Sequence, residues 1–367
     1  MQSLYIHIPF CERKCLYCSF VVSVGQRHRV DEYLDCLEEE AKRYKGEAVK
    51  SIYVGGGTPT FLENDQLERL AEIIKTNFKF NSGIEMTIEA NPEGIDCTKA
   101  QRLKQLAFNR VSLGIQSFQE KYLKFLGRCH DGAQALIAYE NLREAGFKNI
   151  NVDLMFSFPG QTLEEIKEDI EMLANLNSEH LSIYALTVEE HSRFYAQRLK
   201  LADEDVLAQQ YLFATELIES YGLRQYEISN FAKPGYESQH NINYWTGGNY
   251  IGLGVGAHSN FNGRRFWNVS SLFEYMRRTK AHISVEDGAE KLSEDEQLIE
   301  RLLFGLRMNS GVDVKGLENQ FQIGLGVPRQ EIIKGMVKAG FLNRRKGSLT
   351  ATMKGRLVLD ELCARLL

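Results

Sequence analysis
Cys11, Cys15 and Cys18 fall within eight residues at C-x3-C-x2-C spacing, whereas Cys36, Cys97, Cys129 and Cys363 are scattered along the 367-residue chain. Thiols set so close together read as a metal loop. A closed zinc site takes four protein ligands, and no second Cys or Cys/His pair follows at finger-like spacing. Three thiolates instead suit a 4Fe-4S cube that takes one ligand per iron and leaves the fourth iron open. The plainer alternative is three reduced thiols in a loop.

A second motif lies at residues 51–59. The apolar run from Ser51 to Val54 ends in Gly55-Gly56-Gly57-Thr58-Pro59, and glycines let a backbone approach a neighbour that a Cβ would repel. Further on, Glu89, Gln116, Asp153 and Ala185 each fall at or near the end of an apolar run. A solvated loop carboxylate explains Glu89 or Asp153 alone; a succession of such groups at strand ends favours a site.

The elements that must position these groups alternate. Strand patterns at 4–10, 51–54, 84–89, 110–116, 149–156 and 181–186 are separated by helical patterns at 31–43, 67–78, 98–106, 119–126, 131–145, 163–176 and 206–221. Alternation of this kind predicts an α/β fold of parallel strands joined by crossover helices. Six units are too few for a closed eight-unit barrel, so an open six-stranded (β/α) partial barrel is expected, with its working groups at the strands' C-terminal ends.

Residues 226–268 change character, with glycines placed among Trp245, Tyr250, Phe261 and Trp267; this reads as a loop capping the barrel mouth or as a sheet extension. From about Leu292 the pattern is helical again and then gives two short strands around Lys346-Gly347, a small, mostly helical winged-helix-like domain. The chain therefore divides into 1–225, 226–290 and 291–367. The basic tip Arg344-Arg345-Lys346 reads as a solvated turn, and a net charge of -5 gives no nucleic-acid footprint. No apolar run reaches the ~18 residues of a membrane span, and no leader pattern precedes the cysteines. Scattered free thiols suit a reducing cytoplasm.

C-x3-C-x2-C beside a glycine-rich strand end resembles the radical S-adenosylmethionine superfamily. His7-Ile8-Pro9-Phe10-Cys11 narrows the resemblance to the anaerobic coproporphyrinogen-III oxidase (HemN-like) family and its HemW-type haem chaperone subgroup. The resemblance implies a 4Fe-4S cluster held by Cys11, Cys15 and Cys18, with S-adenosylmethionine on the open iron. It also implies a pocket for that cofactor built by Tyr5, Tyr17, Gly56, Gly57, Thr58, Glu89, Gln116, Arg128, Asp153 and Ala185. Within it Thr58 meets the methionine amino group, Glu89 the ribose, and the Arg128 guanidinium the methionine carboxylate. His258 departs from the aliphatic residue these relatives carry, which leaves the adenine edge unassigned.

Two features bear on which relative is nearer. HemN-like oxidases carry a fourth cysteine two positions past the third, where this chain has Phe20, and an N-terminal extension where this chain starts ten residues before its first cysteine. Both count against coproporphyrinogen dehydrogenase activity, which remains the alternative. His240-Asn241-Ile242-Asn243-Tyr244-Trp245 fits the H-N-x-x-Y-W motif associated with haem binding in the HemW group. A histidine in a polar loop is by itself more often a hydrogen-bonding residue than a ligand. In this context His240 is expected to ligate haem. The expected function is a cytoplasmic chaperone that delivers haem to respiratory haemoproteins, with no membrane span and no nucleic acid. The sequence leaves open whether radical chemistry is used, and also homodimer formation and peripheral membrane contact.

Overall fold
The computed structural model describes residues 1–367. Six parallel strands form its centre: β1 (Gln2–Ile8), β2 (Glu47–Gly56), β3 (Glu85–Ala90), β4 (Arg110–Gln116), β5 (Ile150–Phe156) and β6 (His180–Ala185). They lie side by side in chain order, as expected of successive strand-helix units. The expected helices are present within a few residues. Leu163–Leu176, for example, begins at a capping box in which Thr162 and Glu165 satisfy each other's backbone N–H groups.

The sheet goes further than six strands. Tyr250–Leu253 (β7) adds to β1 in parallel, and the antiparallel strands His258–Phe261 (β8), Arg264–Asn268 (β9) and Glu286–Glu290 (β10) follow it. At the opposite edge Asn230–Ala232 and Arg224–Glu227 run antiparallel beyond β6. The two edges do not pair with each other, so the barrel is open. Residues 226–268 are thus mainly a sheet extension, interrupted by one short helix, Gln239–Trp245.

Side chains of a strand alternate between faces, and here the two faces differ. Leu4, Ile6 and Ile8, Ile52 and Val54, Val111, Leu113 and Ile115, and Val152 and Leu154 are buried against the surrounding helices in one apolar core. The alternate positions carry Ser3, Tyr5 and His7, Ser51 and Tyr53, Thr87 and Glu89, Arg110 and Ser112, Asn151 and Asp153, and His180 and Ser182. The concave side of the sheet is therefore polar and hydrogen-bonded to itself: Ser51 donates to Ser3 at 2.7 Å, Tyr53 to Glu89 at 2.8 Å and Asn151 to Asp153 at 2.7 Å. Most of these buried polar groups satisfy one another; Thr87 Oγ1 and Arg110 Nε are the exceptions, buried without a partner.

A separate apolar cluster joins the helix Glu294–Arg307, the helix Gly326–Lys338 and the hairpin Leu342–Arg345 with Ser348–Ala351, through Leu298, Leu302, Leu306, Ile333, Met336 and Leu349. Lys346 and Gly347, both at positive φ, turn that hairpin.

Candidate functional site
The cluster loop is pinned from two directions. Leu16 N–H donates to the Leu126 carbonyl at 2.9 Å, and Phe194 N–H to the Leu16 carbonyl at 2.9 Å. Cys11 is buried at the end of the first strand's extension, and Cys15 and Cys18 are partly exposed. All three line one cavity of about 640 Å³ at the C-terminal ends of the strands. No three His, Cys, Asp or Glu side chains stand close enough to hold a single ion. The donor set fits an iron-sulfur cube, because three soft thiolates each meet a different iron and need not converge on one point.

The same cavity is lined by Tyr17, Gly56, Gly57, Thr58, Glu89, Gln116, Arg128, Asp153 and Ala185. Residues from seven different segments thus line one cavity. Tyr5 does not: it stands on a neighbouring cavity, stacked on Tyr53 with its hydroxyl 3.0 Å from His7 Nδ1.

The glycine turn is dictated mainly by protein atoms. A Cβ on Gly55 would lie 2.8 Å from the Glu89 carboxyl, and one on Gly56, at φ +113°, would lie 2.5 Å from the His7 ring. Space for His7 and Glu89 is what excludes side chains there. Thr58 is a junction: its Oγ1 lies 3.4 Å from Cys11 Sγ and accepts from Asn91 Nδ2 at 3.0 Å.

Arg128 contributes less of a free fork than expected. Its Nη2 donates to Asn91 Oδ1 at 2.7 Å and to the Gly114 carbonyl at 2.6 Å, and its Nη1 lies 3.6 Å from Cys15 Sγ. Only Nε is buried without a partner. Gln116 likewise has a buried Oε1 without a partner and sits at φ +72°, strained backbone of the kind found at ligand sites.

Glu89 accepts from Tyr53 and from Gly56 N–H at 3.0 Å. Burial pushes its carboxyl up to about 7, aided by the charge of Asp153 and opposed by those two hydrogen bonds. Asp153 is also pushed up by burial, although Ser112 at 3.0 Å and Asn151 donate to it. Asn91, Tyr53, Arg110 and Ser112 complete this wall and were not anticipated. The polar alternation within otherwise apolar strands was the signal that could have found them.

The second cavity, about 690 Å³, adjoins the first; Ser19, Phe20, Gly56 and Glu89 line both. Its walls include Tyr244 and Trp245, and Trp245 Nε1 has no hydrogen-bond partner. His240, from the same motif, faces neither cavity. It lies on a helix and not in a polar loop, 1% exposed. Its Nδ1 is 3.0 Å from Ser51 Oγ and its Nε2 2.9 Å from the Tyr244 hydroxyl. Burial pushes this imidazole down to about 3, so it is neutral. Both nitrogens being engaged, His240 would have to release Tyr244 before meeting an iron.

Comparison with known proteins agrees with this geometry. Residues 5–173 match the radical SAM superfamily and residues 292–358 the HemN C-terminal domain. The chain is 36% identical to the heme chaperone HemW of Bacillus subtilis over 98% of both chains. It is 36% identical to that of Lactococcus lactis over 96% of this chain and 94% of the other. The solved structure of coproporphyrinogen III oxidase (HemN) from Escherichia coli superposes with a TM-score of 0.87 at 26% identity, covering all of this chain and 89% of that one. With full-length similarity to the chaperones and the three-thiol cavity in place, the chain belongs to the HemW haem-chaperone family of the radical S-adenosylmethionine superfamily.

Proposed function
We propose that this chain holds haem in the 690 Å³ cavity and passes it to haemoproteins, those of respiration among them, with its cluster and S-adenosylmethionine in the adjoining cavity. The observation that carries the reading is the shared wall, Phe20 and Glu89 above all, between a thiol-lined cavity and one walled by the Tyr244-Trp245 end of the H-N-x-x-Y-W segment. The volume falls within the ~300–1,000 Å³ of small-molecule and cofactor sites. Aromatic rings with a spare indole N–H suit a flat porphyrin with polar edges.

The chemistry a bound cluster supplies is a single low-potential electron. The chain's own part is placement. Cys11, Cys15 and Cys18 hold the cluster, Thr58 and Asn91 fix the loop beside it, and Arg128 Nε and Gln116 Oε1 are the free polar atoms on which S-adenosylmethionine is oriented. Glu89 and Asp153 serve the ribose side, with Tyr17, Gly56, Gly57 and Ala185 closing the walls. In this reading His240 holds Tyr244 against the haem cavity.

Seven unpaired thiols suit the reducing cytoplasm, and no helix is long and apolar enough to cross a membrane. The test is anaerobic reconstitution with iron and sulfide, haem titration with and without S-adenosylmethionine, and transfer from the loaded protein to an apo-haemoprotein. Stoichiometric binding followed by transfer is expected. Incubation with coproporphyrinogen, dithionite and S-adenosylmethionine should yield no protoporphyrinogen; its formation would favour the oxidase.

A further inference from the structure
Three histidines surround the second cavity, and their surroundings differ. His7 lines it, but its Nδ1 is 3.0 Å from the Tyr5 hydroxyl and its Nε2 2.8 Å from the Val21 carbonyl, so both nitrogens are occupied. His240 lies behind the wall with both nitrogens occupied. His258, at the start of β8, lines the cavity, is exposed, and makes no side-chain hydrogen bond.

From this contrast we infer that His258, not His240, is the imidazole that meets the iron of haem in this cavity. The inference rests on the proposed haem site and adds its ligand.

Three further observations support it. The His258 ring stacks on Trp267 at 5.7 Å and 26° between planes, which holds it in one orientation without using either nitrogen. That ring pair is itself fixed: His258 faces Trp267 across the β8–β9 ladder, and Gly288 on β10 leaves the space Trp267 needs, since a Cβ there would lie 2.3 Å from the indole. A ligand carried on a paired strand and braced by a neighbour is preorganised. Finally, a neutral imidazole with a free nitrogen is the form that ligates iron, and His258 alone of the three offers one to the cavity. Tyr250, on the same wall, has a hydroxyl with no hydrogen-bond partner in its surroundings and is the competing ligand with a free donor atom that the test includes.

The full chain, reconstituted with its cluster, is titrated with ferric haem, and absorption and electron paramagnetic resonance spectra are recorded for the unsubstituted protein and for His258→Ala, His258→Met, His240→Ala and Tyr250→Phe. The expected results are an affinity loss of at least about tenfold in His258→Ala, a thioether-type spectrum in His258→Met, and recovery of the original spectrum when free imidazole is added to His258→Ala. His240→Ala, which frees Tyr244, and Tyr250→Phe should keep the ligand spectrum of the unsubstituted protein even where their affinity for haem falls. An unchanged spectrum in His258→Ala, or one lost in His240→Ala or Tyr250→Phe while His258→Ala keeps it, would overturn the assignment and leave the haem-chaperone reading standing. Failure of the unsubstituted protein to bind haem overturns both.

Discussion
Glu89, at the end of the third parallel strand, accepts the backbone N–H of Gly56 at 3.0 Å, so the carboxylate and the glycine turn each depend on the other. A side chain at Gly55 would displace Glu89. Without Glu89 the N–H of Gly56 would lose its buried acceptor, and Tyr53 its partner. The wall shared by the two cavities is built on this contact.

The pH dependence of Glu89 follows from its burial. Its carboxyl stands at about 7 in the fold against 4.5 in the unfolded chain, so the unfolded chain ionises first as pH rises. Stability contributed by this group is full below about 4.5 and is lost as pH climbs through 7. Glu89→Gln should remove that loss, a difference on the order of 3 kcal/mol between the two ends of the window. Thermal unfolding of the cluster-free protein at both pH values measures it; parallel slopes for variant and parent would refute it.

His240 acts in the opposite direction. Its imidazole is held at about 3 by burial against 6.5 when unfolded, so its contribution is full above 6.5 and is lost as pH falls toward 3. His240→Gln should flatten the acid limb of the stability curve, while lowering the unfolding free energy at pH 8 by about 1–3 kcal/mol through the lost bonds to Ser51 and Tyr244. Denaturant melts across that range would show an unchanged acid limb if the imidazole were protonated in the fold.

Gly56→Ala places a methyl group 2.5 Å from the His7 ring at a φ of +113°. Two penalties combine, one steric and one conformational, and a destabilisation of at least about 2 kcal/mol is expected. His7→Ala in the same chain should recover the steric part only. Full recovery in the double variant would mean that the backbone angle costs nothing.

Substituting Ser for any one of Cys11, Cys15 or Cys18 should abolish stoichiometric iron and sulfide incorporation, whereas Cys36→Ala should not, because Cys36 is buried among apolar residues of the core. Iron and acid-labile sulfide analysis of anaerobically reconstituted protein decides it. Full incorporation in Cys15→Ser would remove Cys15 from the ligand set.

Glu40 is buried and accepts from the Tyr275 hydroxyl at 2.6 Å, Asn268 Nδ2 at 2.6 Å and Gly254 N–H at 2.8 Å. It thereby ties the helix Val30–Lys42 to the sheet extension that carries His258. Glu40→Ala would strand three donors and should cost about 3 kcal/mol or more. Haem titration of the same variant should show weakened binding, and unaltered affinity would separate this tie from the cavity.

Much of the site was legible before folding. The spacing of Cys11, Cys15 and Cys18 is a local property, as is the glycine run after Ser51–Val54, and strand-helix alternation is a periodicity that short windows reveal. Those features determined the α/β class, the open parallel sheet and the cavity at its C-terminal edge. Contacts between distant segments were not written locally. Tyr250–Leu253 joins β1 as a seventh parallel strand, a pairing that hydrophobic pattern alone does not specify because short apolar runs look alike.

The histidines show the same division. His240 sits in a motif, and its sequence neighbourhood says nothing of Ser51, which lies far away in the chain and closes one ring nitrogen. His258 has no motif, yet the ladder to Trp267 turns it toward the cavity. Sequence determined which side chains are chemically able to bind; tertiary structure decided which of them have a free atom facing a ligand, because burial and hydrogen-bond partners come from segments that meet only in the fold.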